Sequence, residues 1–172
     1  NSNLNVNLLI IPKIFFPFNN DIFRLGDIIN ITGTIPSYVD SYSLEYEKIS
    51  NPESWNLICS KSIHVTEGVI CSFNTSVVGN SDFINIRLTA NKNDGTIYND
   101  VLQKLYIDST LKIGWPNRIP YSESERLYAK GNLQPVVGDL NGDGIKEILI
   151  YEGTKETIIY AFEPDGSYFS NW

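Results

Sequence analysis

In the stretch Ser81-Asp-Phe-Ile-Asn-Ile-Arg-Leu-Thr-Ala90, apolar side chains occupy every second position from Ile84 onward. Successive side chains of a β-strand point to opposite faces of the sheet. One face would carry Ile84, Ile86, Leu88 and Ala90, and the other Phe83, Asn85, Arg87 and Thr89. This alternation predicts a strand with one face against a core and the other in water.

Similar patterns flank this strand on both sides, and no segment keeps apolar residues at helical spacing. Tyr42, Leu44 and Tyr46 would face inward, with the stem of Lys48 at the rim. The candidate strands are 4–11, 27–34, 42–49, 55–60, 68–74, 82–91 and 98–108, and Asn93-Asp94-Gly95 predicts a hairpin between the last two. We therefore expect an all-β chain in which residues 1–108 form an immunoglobulin- or fibronectin-III-like β-sandwich.

The composition of the chain indicates which partners and which cellular location to expect. The 172 residues include 13 basic and 20 acidic side chains, for a net charge of −7. Nucleic-acid binding normally needs a concentrated basic face, so we expect no nucleic-acid partner. No apolar run approaches the ~20 residues of a membrane span. A first residue other than Met favours a processed chain or a part of a longer one, and the many Asn, Ser, Thr and Tyr residues suit an extracellular or cell-surface location.

The two cysteines, Cys59 and Cys71, lie in apolar or alternating runs on either side of the turn signal Thr66-Glu67-Gly68. One interpretation is a disulfide across a hairpin. The other is a pair of small buried residues, because free cysteine packs like a hydrophobic side chain.

The strand pattern changes after Asp108. Residues 109–130 contain prolines and a mixed-charge stretch, and are predicted to form a linker and lead-in with at most a brief helical turn at 122–130. Residues 131–172 form a second β unit with candidate strands 134–138, 147–151 and 157–162, followed by a turn at Pro164-Asp165-Gly166. Two or three strands are too few for an independent core, so this unit is predicted to be incomplete by itself.

The loop GDLNGDGIKE, residues 138–147, places oxygen ligands at alternating positions. The expected ligands are the side chains of Asp139, Asn141, Asp143 and Glu147 and the carbonyl of Ile145. Hard oxygen donors in a flexible loop favour Ca²⁺. An EF-hand is excluded because Ile150 stands where its last carboxylate is required. A metal-free hairpin turn is the alternative, and it explains the glycines but not the carboxylates.

The stretches PVVGDLNGDGIKEILIY (135–151) and IIYAFEPDGSYFSNW (158–172) resemble an FG-GAP repeat of the integrin-alpha type. The resemblance covers residues 112–172, including GWP at 114–116. It implies a propeller-type blade with a calcium loop between adjacent strands. A propeller typically closes with 4–8 blades, so further blades or strands from a neighbour would have to complete this one. The segment YSLEYEKISNPESWNLI (42–58) is similar to immunoglobulin-like modules that precede these repeats in secreted microbial proteins, some of which carry a subtilisin-type protease domain.

Candidates for catalysis are scarce. His64 is the sole histidine and reads as a strand or turn residue, and no nucleophile elbow, zinc-protease helix or phosphate loop is present. Glu45 and Glu47 share a strand face at about 7 Å, a spacing that suits a glycosidase pair as well as two solvated carboxylates. A sugar-stacking platform is a further alternative to core packing for the aromatic sets Tyr38, Tyr42, Tyr46 and Trp55, Trp115.

The expected function is that of a non-enzymatic, calcium-stabilised extracellular module for adhesion or filament assembly. Its partner would be another protein or a neighbouring copy of this chain, bound at exposed β edges. Residues 4–11 could add a strand to such an edge in the neighbouring copy. The alternative is that residues 4–11 form the first strand of their own sandwich. Carbohydrate binding is an alternative without specific support. The second interpretation is an accessory region of a secreted subtilisin-type protease whose catalytic domain lies outside this chain.

Overall fold

A computed structural model describes residues 10–116, 135–153 and 157–170, and at 152, 153, 157 and 158 it describes the backbone alone. The chain divides into two compact units, Asn1–Thr110 and Leu111–Trp172. Apart from one 3₁₀ turn at Thr75–Val78, the secondary structure of the described residues consists of β-strands, so the all-β prediction is confirmed. Within the described ranges, no helix is both long and apolar enough to cross a bilayer.

Unit 1 contains two β-sheets. Its strands are β1 Lys13–Phe16, β2 Ile22–Arg24, β3 Ile28–Ile35, β4 Ser41–Lys48, β5 Asn51–Lys61, β6 Val65–Asn74, β7 Asp82–Asn91 and β8 Ile97–Asp108. The first sheet has the order β1-β3-β6, and the second has the order β2-β8-β7-β4-β5. Neighbouring strands are antiparallel except β2 and β8, which are parallel. This architecture is consistent with an immunoglobulin- or fibronectin-III-like sandwich.

The core of unit 1 draws side chains from both sheets. The inward residues of β7 predicted from the alternation, Ile84, Ile86, Leu88 and Ala90, are all 0% exposed. They belong to one cluster with Ile29 and Ile31 of β3 and with Ile70 and Phe73 of β6. Tyr42 and Tyr46 are also buried there, and the Tyr42 hydroxyl donates a hydrogen bond to the Ile70 carbonyl of the other sheet. The predicted inward faces of β4 and β7 are thus confirmed.

Several strand boundaries differ from the prediction. β5 begins at Asn51, four residues before the predicted start at 55. It includes Pro52, because an edge strand tolerates a residue without an N–H donor. β6 begins at Val65, so the predicted turn at 66–68 lies inside the strand. β1 and β2 were not predicted, since strands this short show too little alternation to recognise. Most of the predicted strand 4–11 lies outside the described residues, and Ile10 and Ile11 belong to no strand.

The structure joins Cys59 and Cys71 in a disulfide with a Cα–Cα distance of 6.5 Å. β5 and β6 lie in different sheets, so this bridge connects the two sheets of the sandwich. The expected position across a hairpin was wrong. Residues 62–64 carry the chain from one sheet to the other instead of forming a hairpin turn.

Unit 2 contains a three-stranded antiparallel sheet in the order β11-β10-β9. Its strands are β9 Val136–Gly138, β10 Glu147–Gly153 and β11 Thr157–Phe162. In the ranges the structure describes, this sheet is open and forms neither a closed barrel nor a propeller. Most of the predicted linker, including the helical turn at 122–130, lies outside the described residues.

Candidate functional site

The predicted metal loop connects β9 to β10 at one end of the sheet. Gly138 pairs with Glu147, so the two ends of the loop are direct neighbours in the antiparallel ladder. Gly142 and Gly144 adopt φ angles of 81° and 84°, a region that glycine enters without steric penalty. The two glycines therefore allow the chain to fold back within a short loop.

Asp139 organises the first half of the loop. Its Oδ1 accepts a hydrogen bond from the Gly142 N–H at 2.6 Å, and its Oδ2 accepts one from the Gly144 N–H at 2.9 Å. Aspartate commonly stabilises turns by accepting hydrogen bonds from amides that follow it in the chain. The carboxylate is thereby held on the inner side of the loop.

Asn141 and Asp143 repeat this arrangement in the second half. Asn141 Oδ1 accepts from the Asp143 N–H at 3.0 Å, and Asp143 Oδ1 accepts from the Ile145 N–H at 2.7 Å. The Asn141 side-chain amide donates to Asp143 Oδ2 at 2.9 Å. The side chain of Ile145 is 52% exposed, so this residue is available to the loop only through its backbone.

Glu147 differs from the other loop carboxylates because it is 0% exposed. Its Oε2 accepts a hydrogen bond from the Leu140 N–H at 2.6 Å. Its Oε1 is buried and has no hydrogen-bond partner. A buried carboxylate oxygen without a partner is costly, and it needs a donor or a cation to offset its lost hydration.

The structure thus brings the predicted ligands Asp139, Asn141, Asp143 and Glu147 to one edge of the sheet. Across the ranges described above, no three Asp, Glu, His or Cys side chains are already gathered into a metal centre. The exposed carboxylates of the loop instead face its own amides.

Glu163 is a further acidic residue beside the loop, and sequence reasoning missed it. The carboxyl has its pKa raised above the usual range, first by desolvation and then by the negative charges of Glu147, Asp143 and Asp165. Glu163 directly follows β11, whose last residue, Phe162, pairs with Ile148. The register of β10 against β11 places Glu163 next to Glu147. The spacing of residues within the loop gives no sign of this proximity.

The turn after Glu163 packs closely against Gly114 and Trp115 of the same unit. The Gly166 N–H donates to the Glu163 carbonyl at 2.9 Å, and the Trp115 Nε1–H donates to the Pro164 carbonyl at 3.1 Å. A Cβ atom added to Gly114 would lie 1.7 Å from the Asp165 carbonyl oxygen. The GWP and PDG segments of the sequence therefore meet in one close backbone contact.

The carboxylates considered for glycosidase chemistry form structural pairs. Glu45 Oε2 accepts from Arg87 Nη2 at 2.7 Å, and the Arg87 guanidinium lies 4.1 Å from the ring centroid of Trp55. Glu47 accepts from the Asn85 side chain at 2.9 Å. The two carboxylates are therefore engaged within the outer face of the sheet.

The remaining candidate residues are dispersed. His64 is exposed in the segment between β5 and β6. Tyr42 and Tyr46 are 1% and 7% exposed in the core, so they form no sugar-stacking platform. Tyr38 packs against Tyr98 with ring centroids 5.8 Å apart.

Comparisons with known proteins give distant likeness only. No protein-family model matches the chain, and no curated protein matches it. A solved structure described as "Structures of Clostridium thermocellum CbhA fibronectin(III)-like modules" is 17% identical, covers 59% of this chain and 99% of its own, and superposes with a TM-score of 0.36. A likeness of this degree supports no functional inference. The resemblance of residues 112–172 to FG-GAP repeats stays a prediction.

Proposed function

We propose that this chain is a non-catalytic extracellular module whose second unit is stabilised by Ca²⁺ bound in the loop 139–147. The observation that carries the proposal is the carboxylate of Glu147, which is 0% exposed and leaves Oε1 without a partner. The residues that would hold the ion are Asp139, Asn141, Asp143, the Ile145 carbonyl and Glu147.

The chemistry of this donor set fits calcium. All the donors are oxygens, which Ca²⁺ and Mg²⁺ prefer, and the larger ion accepts the irregular geometry of a flexible loop more readily. Three carboxylates, those of Asp139, Asp143 and Glu147, belong to one nine-residue loop, and a divalent cation would offset their combined negative charge. The side chains of Asp139 and Asp143 are exposed, so they can turn from loop amides towards an ion without disturbing a core.

Two features outside the loop support an extracellular assembly or adhesion role. The Cys59–Cys71 disulfide suits an oxidising compartment. The open sheet of unit 2 exposes large apolar side chains on β9 and β11, among them Val136 at 58% and Ile159 at 52%. We propose that a protein partner, further FG-GAP-like blades or a neighbouring copy pairs with these edges. No observation in the described residues favours the accessory role in a protease.

The test is hydrogen–deuterium exchange of the full chain in millimolar Ca²⁺ and in chelator. Calcium sites of extracellular modules bind with dissociation constants of about 10⁻⁴–10⁻³ M. At ten times such a constant, an ion that binds only the folded loop should slow exchange through local opening about tenfold. We expect this slowing in peptides covering 136–153, and a smaller effect from the same concentration of Mg²⁺.

Two variants make the test specific. Asp143→Ala should abolish the calcium effect, whereas Asp94→Ala removes an exposed aspartate from unit 1 and should preserve it. Equal exchange of the parent protein in calcium and in chelator would refute the proposal.

A further inference from the structure

The proposed ligand set leaves the coordination of the ion incomplete. Ca²⁺ takes 6–8 oxygen ligands in proteins. Glu147 Oε2 is engaged by the Leu140 N–H at 2.6 Å, which leaves Oε1 as the free donor of this side chain. With one oxygen from each of Asp139, Asn141, Asp143 and Ile145, the loop falls short of this number. Counted at one oxygen per residue, the loop supplies five ligands, and water or a side chain outside the loop would supply the others.

The ladder of β10 and β11 brings a second carboxylate to the same place. Ile148 pairs with Phe162, so one step further along the two antiparallel strands Glu147 stands opposite Glu163. Side chains directly opposite each other share one face of the sheet, where two like charges destabilise the pairing. A cation bound between the two carboxylates would attract both of them and outweigh their repulsion.

The side chain of Glu163 has no other evident role. It is half-buried, and it makes no hydrogen bond or ion pair within the described part of the chain. Two hydrogen bonds fix its backbone: the Glu163 N–H donates to the Ser167 carbonyl at 2.8 Å, and the Gly166 N–H donates to the Glu163 carbonyl at 2.9 Å. The backbone of Glu163 is therefore fixed by the turn, while its carboxylate has no hydrogen-bond or ion-pair partner within the described residues.

On the basis of the proposed function, we infer that Glu163 adds its carboxylate to the calcium site and completes the coordination that the loop begins. The site is then built from two separate segments, so the ion ties the β9–β10 loop to the end of β11. The raised pKa of the Glu163 carboxyl agrees with this position, because after desolvation its causes are the negative charges of Glu147, Asp143 and Asp165, in that order.

The test is calorimetric titration of the full chain with CaCl₂, comparing the parent protein with Glu163→Gln. Loss of a ligand or of a group that supports one typically weakens metal binding 10–100-fold. We expect Kd to rise by about this factor. The matched control is Asp165→Asn, which removes the same charge from the same turn, and its Kd should change less than about threefold.

Ionic strength separates coordination from general charge effects. The Debye length falls from about 10 Å at 0.1 M salt to about 3 Å at 1 M, so a long-range charge effect disappears at high salt and a coordinating oxygen stays important. The Kd ratio between Glu163→Gln and the parent should therefore persist in 1 M NaCl. A ratio that collapses to that of Asp165→Asn would overturn the inference.

Further outcomes distinguish the two proposals. Absence of calcium binding by the parent protein would refute the proposed function and this inference together. Binding by the parent with an unchanged Kd in Glu163→Gln would refute the inference alone. If unit 2 of the Glu163→Gln variant loses its exchange protection in chelator, the titration is repeated with Glu163→Asp. The carboxylate of this variant is shorter by one CH₂ group and should reach the ion less well. A Kd equal to that of the parent would contradict a role in coordination.

Discussion

Replacing Gly114 by alanine tests the close contact between the GWP and PDG segments of unit 2. Gly114 has a φ angle of 86°, which costs an L-residue roughly 1–2 kcal/mol. Its added Cβ would lie 1.7 Å from the Asp165 carbonyl oxygen, whereas real Cβ atoms keep about 3.0 Å from such neighbours. The turn would have to move by more than an ångström, and the obstructing atom is backbone.

The expected loss follows from these contacts. Overpacking of a tight site costs about 1–3 kcal/mol in addition to the conformational penalty. Movement of the turn also weakens the hydrogen bond from Trp115 Nε1 to the Pro164 carbonyl, which measures 3.1 Å. We expect Gly114→Ala to destabilise unit 2 by about 2–5 kcal/mol.

The control is Gly142→Ala in the same unit. Gly142 has a φ angle of 81° and no atom within 4 Å of an added Cβ, so it carries only the conformational penalty of about 1–2 kcal/mol. Both variants would be compared in chelator by hydrogen exchange of peptides covering 159–169, where 1.4 kcal/mol corresponds to about tenfold faster exchange. If the two variants exchange at the same rate, the steric argument is wrong.

Two predictions concern unit 1. Reduction of the Cys59–Cys71 bridge, which closes a loop with a sequence separation of 12, should lower the free energy of unfolding by about 2–3 kcal/mol, and an unchanged urea midpoint would contradict this. Leu88→Ala should cost about 2–5 kcal/mol because the side chain is 0% exposed, whereas Thr89→Ala on the outer face should cost less than about 1 kcal/mol. Equal losses in urea unfolding would contradict the assignment of the two faces of β7.

Local patterns predicted those parts of the fold that depend on a few neighbouring residues. The inward face of β7 follows from period-2 alternation, and the hairpin to β8 follows from Asn93-Asp94-Gly95, where Gly95 has a φ angle of 86°. The sheet to which each strand belongs depends on the packing of the whole unit. The alternation therefore gave no indication that Cys59 and Cys71 lie in separate sheets.

The same distinction applies to the candidate site. The turns of the loop follow from the spacing of its Asp, Asn and Gly residues, because the loop's hydrogen bonds are local. The complete burial of Glu147 does not, since glutamate is rarely buried and periodicity places this residue simply at the start of β10. The proximity of Glu163 depends on the register of β10 and β11, which the sequence leaves open.

The parallel pairing of β2 with β8 determines how unit 1 would respond to tension. β8 is the last strand of the unit and β2 is the second, so a pull that has passed β1 slides β2 and β8 past each other along their length. The bonds from the Leu25 N–H to the Asp108 carbonyl and from the Tyr106 N–H to the Asp21 carbonyl, at 2.9 and 2.8 Å, are then loaded simultaneously. A hairpin pulled apart from its open end loses its bonds one after another. Shear across this pair distributes the load and raises the force at which the unit gives way.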